Sequence, residues 1–251
     1  KLSDKLVNAF LKNKIISAIP KKFTKKLTQA DKFRKLCESK INEPVIGYKA
    51  GGTGIPLLKK LKEKEPFYAS VYKRNFLQNG KRVKINKSTL GIELEVCYLI
   101  KKSFFSSKGP ITKKNVTKFI SHMAPCIEVV GYRQRRKGIT SFGDLSSDFG
   151  ANVKFLIGQK KKYKKINIGN LKTTISNKKA NQKVNGNTNA VYINPLNSLK
   201  FVLKKIKKDK VNLGKNFYVF TGSTVGVVPI LSKGLYTGKI DKLGSVKAII
   251  S

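Results

Sequence analysis

Apolar positions change period along the chain. Near the N-terminus Leu6, Val7, Phe10 and Leu11 recur at helical spacing. Pro20 interrupts that pattern, and Thr28-Gln-Ala-Asp31 reads as a capping box for a second helix carrying Phe33, Leu36 and Cys37 on one side. A short helix is expected over 56–64, stopped by Pro66. From Ser70 the pattern shortens to that of strands: Val71-Tyr72, 83–85 and 91–100, with Asn79-Gly80 as a turn. A helix is expected over 112–122, burying Val116, Phe119 and Ile120. Strands return at 126–130, 153–157, 163–168 and 191–193, and Asn185-Gly186 marks a hairpin. Asn194-Pro195 opens a helix with Leu199, Val202, Leu203 and Ile206 on its apolar stripe. The last third alternates glycine turns with strands at 217–220, 225–231 and 245–250. The sum is a sheet-dominated α+β fold with helices at the N-terminus and on the flanks. A helical part over 1–66 and a sheet part over 67–251 form one compact unit.

Composition narrows the function. The chain has 251 residues, 40% of them hydrophobic, with 14 Phe and 9 Tyr spread over its length, which is enough to close a core. No apolar run approaches the ~20 residues that span a bilayer. Cys37, Cys97 and Cys126 lie far apart, which excludes a zinc knuckle or a disulfide scaffold. A serine-triad hydrolase would have to use the single histidine, His122, and no G-x-S-x-G elbow accompanies it. There is no phosphate-binding G-x-x-x-x-G-K-[ST] loop.

The formal charge is +41. Polyanion binding is one reading and a solvated, lysine-biased surface is the other; only six of the basic residues are Arg, the residue that nucleic-acid readers favour. The lysine run at 160–165 falls at an expected hairpin turn, and that at 204–210 on the polar side of a helix.

The acids are scarce, 13 in all, and three stand among strand-forming apolar residues. In Gly91-Ile-Glu-Leu-Glu-Val96, Glu93 and Glu95 share one face of a strand while Ile92, Leu94 and Val96 take the other. Glu128 sits in Cys126-Ile-Glu-Val-Val130. Like charges on a half-buried strand raise each other's pKa unless a cation compensates. A hard divalent metal such as Mg²⁺ or Mn²⁺ is one solution, and pairing with lysines is the other. His122 lies six residues before Glu128 at an expected helix end, where it caps or packs the helix or serves as a further ligand.

Eight segments, in order, carry a resemblance: Gly47-Tyr-Lys-Ala-Gly51, Glu65-Pro66, Gly91-Ile-Glu-Leu-Glu95, Ala124-Pro-Cys-Ile-Glu128, Asp144-Leu-Ser-Ser-Asp148, Asn194-Pro-Leu196, Thr221-Gly-Ser-Thr-Val-Gly-Val-Val-Pro229 and Leu243-Gly-Ser-Val246. Over most of its length the chain resembles the 2-keto-4-pentenoate hydratase and 4-oxalocrotonate decarboxylase family of the fumarylacetoacetate hydrolase superfamily. That resemblance implies N-terminal helices packed on a mixed β-roll. It implies that Glu93, Glu95 and Glu128 bind Mg²⁺ or Mn²⁺ and that Lys49 is an acid/base group touching substrate. It implies that Thr221, Ser223 and Asp148 contact substrate, with Thr224 in the same glycine-rich turn. It further implies a homo-oligomer, a cytoplasmic setting and a role in aromatic catabolism. A chain starting at Lys1 rather than Met leaves export after removal of a leader as the other expectation.

The chain departs from the family pattern at Phe67, where an acidic residue is usual, at Phe149, where the family has Asn, and at Gly131, where it has Asp; Arg133 is retained. The resulting expectation is a metal-dependent lyase that hydrates 2-hydroxypenta-2,4-dienoate to 4-hydroxy-2-oxopentanoate. Decarboxylation of a 2-oxo diacid, a non-catalytic polyanion-binding role and C–C bond hydrolysis are the alternatives.

Overall fold

A computed structural model describes residues 1–135 and 138–251. Its helices are α1 (Leu2–Lys12), α2 (Leu27–Glu38), α3 (Ile55–Lys60), α4 (Phe142–Ser146) and α5 (Pro195–Lys208). Its strands are β1 (Val45–Gly51), β2 (Phe67–Tyr72), β3 (Phe76–Gln78), β4 (Arg82–Val83), β5 (Thr89–Ile100), β6 (Ile120–Gly131), β7 (Asn152–Ile157), β8 (Lys161–Lys162), β9 (Lys172–Asn177), β10 (Gln182–Asn187), β11 (Phe217–Ser223), β12 (Gly234–Ile240) and β13 (Gly244–Ile250).

β5 and β6, twelve residues each, pair antiparallel and form the spine. Around them runs a mixed sheet in the order β2-β1-β11-β5-β6-β7-β3, with β8 also on β6. Alternation on β5 is complete: Ile92, Leu94, Val96, Tyr98 and Ile100 are fully buried in the main core. A second sheet, β10-β9-β12-β13-β4, covers that face. The fit is close, because a Cβ on Gly238 of β12 would stand 2.6 Å from Leu94 Cδ1. The opposite face of the first sheet carries Glu93, Glu95, Cys97, Cys126 and Glu128 and curls around them.

α5 forms as its sequence dictates. Asn194 Oδ1 accepts the Leu196 N–H at 2.8 Å, Pro195 fills the first turn, and Leu199, Val202, Leu203 and Ile206 are fully buried. α1 and α2 pack on Tyr72 and Phe149 through Leu6, Val7, Phe10, Phe33 and Cys37. Among the described residues no helix is long and apolar enough to cross a membrane. The architecture is the expected α+β one.

Several local expectations are corrected. The helix over 112–122 reduces to a single 3-10 turn at Val116–Phe119; from Ile120 the chain is already β6, because the long ladder with β5 outweighs the local apolar spacing. His122 is therefore on a strand. The capping box does not form: α2 starts at Leu27, so Thr28 is inside the helix, and Leu36 on its flank is 51% exposed. Asn185-Gly186 lies within β10, and the β9–β10 turn is at 178–181. Residues 191–193 are not a strand, since Tyr192 and Ile193 are left-handed at φ 45° and 71°. Residues 163–168 form no named strand, and 225–231 contributes one bridge, Ile92 to Val228. The lysines at 161 and 162 pair with β6 as β8. Strands β1, β3, β9, β10 and β12 were not anticipated, and β1 brings part of 1–66 into the main sheet.

Candidate metal centre and its cavity

Period-two geometry puts Glu93 and Glu95 on one face of β5. The β5–β6 register sets Glu128 directly opposite Glu93, and Glu95 opposite Cys126. Each of the three glutamates offers an oxygen within 4.8 Å of the others. Glu95 and Glu128 are fully buried and Glu93 is half-buried.

Two neighbours fix this cluster. Lys49 on β1 donates to Glu128 Oε1 at 2.7 Å and to the Gly150 carbonyl at 3.1 Å. Between β1 and β6 lie β11 and β5, so a flat sheet would separate them by about 14 Å, three strand spacings. The short Lys49–Glu128 pair is a direct consequence of the curl. The second neighbour is Gly222, whose N–H donates to Glu95 Oε2 at 2.9 Å. Gly222 sits at φ 101° beside an irregularity in the β11–β5 ladder, and a Cβ there would lie 2.1 Å from Thr53 Oγ1. Only glycine allows that approach.

Among the described residues, Glu95 Oε1 and Glu128 Oε2 have no hydrogen-bond partner. Burial, with repulsion from Glu128, pushes the Glu93 carboxyl up to about 7. The same causes, with Glu93 added, hold Glu95 well above the carboxylate range, and burial raises Glu128 despite Lys49. Burial works against the Lys49 ammonium, yet the attraction of Glu128, Glu93 and Glu95 prevails and raises its pKa. Three carboxylates and one ammonium leave two negative charges. Orphaned oxygens, hard donors and that residual charge all fit a divalent cation.

Lys49 and Glu93 line a cavity of about 620 Å³. Phe67, Ile55, Leu57 and Leu145 form part of its wall, and Gly150, Gly222 and Ser223 another part. The remaining expected residues are each engaged by a partner within the protein. Thr221 is buried outside the cavity wall, its hydroxyl donating to Val96 O at 2.8 Å; Thr224 does the same to Leu94 O. Ser223 reaches the wall while its hydroxyl donates to Gly226 O.

Asp148 lies outside the wall, fully buried. It accepts from Arg133 N and Nε at 2.8 Å each, while Arg133 also donates to the Asp148 and Asn152 carbonyls. This clamp holds the turn in which Phe149, Gly150 and Ala151 are all left-handed, and that turn presents the Gly150 carbonyl to Lys49. His122 is six strand residues, about 20 Å, from Glu128, too far to share a ligand with it. Sequence reasoning missed the backbone partners, the Gly222 N–H and the Gly150 carbonyl. A glycine in Thr221-Gly-Ser223 was the only signal of the first.

No protein-family model matches the sequence, and no curated protein matches it. Solved structures do. Over 100% of this chain and 96% of the other, it superposes with a TM-score of 0.84 and 20% identity on 4-oxalocrotonate decarboxylase from Pseudomonas putida G7, complexed with magnesium and adipate. The calcium and acetate complex of that enzyme gives 0.80 with the same identity and coverage. Fumarylpyruvate hydrolase from Pseudomonas aeruginosa, in complex with Mn²⁺ and pyruvate, gives 0.61 with 13% identity over 84% of this chain and 91% of that one. The fold is thus of the fumarylacetoacetate hydrolase type, as the eight sequence segments led one to expect.

Proposed function

We propose that this protein is a metal-dependent lyase of the hydratase and decarboxylase family it resembles. Its reaction is hydration of 2-hydroxypenta-2,4-dienoate, or a close 2-oxo acid relative, to 4-hydroxy-2-oxopentanoate. One observation carries the reading: Glu93, Glu95 and Glu128 converge with orphaned oxygens beside Lys49, at a cavity large enough for a small acid. Support comes from the similar folds, whose complexes hold magnesium, calcium or Mn²⁺ with adipate, acetate or pyruvate.

Mg²⁺ or Mn²⁺ held by the three glutamates would supply a Lewis acid for the oxygens of the 2-oxo acid head. Gly222 keeps Glu95 turned toward the cluster through its N–H. Lys49 is held charged by its carboxylate neighbours. Two of its three N–H groups serve Glu128 and Gly150, which leaves the third for the cavity. That N–H donates to the substrate's C2 oxygen and stabilises negative charge there. In ketonisation the Lys49 ammonium gives its proton to C5 and takes the enol proton from the C2 oxygen in exchange, which returns it to the charged form. The product of that step is a conjugated ketone, to which water adds at C4. The apolar walls keep other water from the head.

Decarboxylation of a 2-oxo diacid is the second reading, favoured by the 0.84 superposition on a decarboxylase. It would use the same head-binding groups and the same enol. The test is loss of dienoate absorbance with Mg²⁺ and with chelator, run beside a 2-oxo diacid. Metal-dependent conversion of the dienoate to the hydroxy-oxo acid is expected. Full activity in Glu95→Gln would refute the site.

A further inference from the structure

The lysine run on α5 has no part in the carboxylate centre. Lys200, Lys204, Lys207 and Lys208 recur at i, i+4, i+7 and i+8, so they share one flank of the helix, while Leu199, Val202, Leu203 and Ile206 are buried on another. The helical rise sets Lys200 and Lys204 about 6 Å apart along the axis, and Lys208 about 6 Å further on. The 101–118 segment lies against this flank. Lys207 Nζ donates to the Ser107 and Gly109 carbonyls at 2.8 and 2.6 Å. Burial lowers the Lys200 pKa, and repulsion from Lys113 and Lys204 lowers it further, so these ammonium groups crowd one another. The 101–118 segment holds six lysines, Lys113 among them, and no acid. In 200–216 the one acid is Asp209, held by Lys35 at 2.8 Å and by the Tyr68 hydroxyl. No acid of either segment is left to neutralise the row.

Four residues beyond Lys208 the chain reaches a pocket of about 430 Å³, separate from the carboxylate cavity. Its wall is Lys102, Ser103, Phe105 and Ser106 from the turn after β5, with Asn212 and Gly214 from the loop after α5. Phe105 is half-buried, and its ring is held by those of Phe104 and Phe217 at centroid distances of 5.3 and 5.1 Å. A held aromatic ring beside a lysine, hydroxyls and an amide matches one unpaired nucleotide: a face for stacking, a cation for phosphate, and hydrogen-bonding groups for base and sugar. A row of lysines tracks a phosphate backbone as point charges, without reading sequence. None of the large apolar side chains exposed on the described surface lies in 101–118 or 200–216, so this face offers no exposed apolar anchor to a lipid surface.

We propose that this face, the lysine flank of α5 with the 101–118 segment, binds single-stranded nucleic acid, its phosphates along the row and an unpaired base on Phe105. Ile100, at the end of β5, stands seven strand residues, about 23 Å, from Glu93. Binding here is therefore independent of the metal centre and of the function proposed for it.

Fluorescence anisotropy of a labelled oligouridylate of about 15 nucleotides, titrated with the purified protein at 50–200 mM NaCl, tests it. Four phosphates neutralised by the row give a slope of about −2.8 in log affinity against log salt, so affinity should fall about fiftyfold across that range. Lys200→Glu with Lys204→Glu should weaken binding by roughly tenfold or more, and Lys178→Glu with Lys179→Glu, the same charge change at the β9–β10 turn, by less than about threefold. Equal weakening by the two pairs overturns the proposal in favour of bulk charge. Phe105→Leu keeps an apolar side chain against Phe104 and Phe217 and should weaken oligouridylate roughly tenfold while leaving inorganic polyphosphate unchanged. Polyphosphate bound as tightly as oligouridylate, or an oligouridylate affinity indifferent to Phe105→Leu in the folded protein, overturns the proposal. Preference for phosphatidylserine vesicles over oligouridylate at the same salt assigns the face to a lipid surface and overturns it as well.

Discussion

Removing metal from the carboxylate cluster should make the protein less stable as pH rises. Glu93 is raised from the ordinary 4.5 to about 7 by burial and by Glu128, with Lys49 offsetting only part of the rise. Between those values the unfolded carboxyl is ionised while the folded one keeps its proton. The folded state then binds more protons, so stability present at pH 4.5 is lost as pH climbs through 7. The full shift is worth roughly 3 kcal/mol. Glu93 stays partly in contact with cavity water, and screening reduces this to about 2 kcal/mol. Glu95 and Glu128 move in the same direction and extend the loss to higher pH. Lys49, also raised, contributes a constant amount, since its contribution is complete at any pH below its ordinary value. In a chain of this size about 2 kcal/mol corresponds to a melting temperature lower by roughly 4–8 °C. The assay is thermal unfolding from pH 5.5 to 8.5, in chelator and in excess Mg²⁺. The chelated protein should lose stability with pH, and Mg²⁺ should restore most at the alkaline end, where fewer protons compete with it. Glu93→Gln should flatten the chelated profile. A chelated profile that is level or rises with pH would refute the reasoning.

Lys49→Met leaves Glu128 buried without its cation; turnover should vanish and stability fall by about 3–5 kcal/mol, as read by urea unfolding, with added Glu128→Gln recovering part of the stability but none of the activity. Asp148→Asn breaks the buried pair with Arg133 and should destabilise by a similar ~3–5 kcal/mol; a variant of unchanged stability with a raised KM alone would instead make Asp148 a substrate contact. Gly222→Ala forces a side chain into φ 101° and against Thr53, so a loss of about 1–3 kcal/mol and weaker Mg²⁺ binding by calorimetry are expected; wild-type metal affinity would remove Gly222 from the role of orienting Glu95.

Where pattern and structure agree, the information was local. The Asn194-Pro195 cap and the stripe from Leu199 to Ile206 made α5 legible, because a helix draws its hydrogen bonds from its own segment. Alternation from Ile92 to Ile100 gave a strand with two acids on one face, because strand side chains have period two. The same local signals misled at 112–122, where spacing fits a helix but the partner strand β5 takes the residues from Ile120. Family resemblance, resting on short ordered segments, added Lys49 to the three glutamates that their strand positions had already singled out. Only the tertiary structure could decide what these side chains meet. The register sets Glu128 across from Glu93, and the curl carries Lys49 over two intervening strands to Glu128. It also turned Asp148 toward Arg133 and gave Glu95 a backbone N–H rather than a hydroxyl. Strand pairing and sheet curvature join residues dozens of positions apart, so they arise from the packing of the whole chain and leave no trace in the periodicity of any one segment.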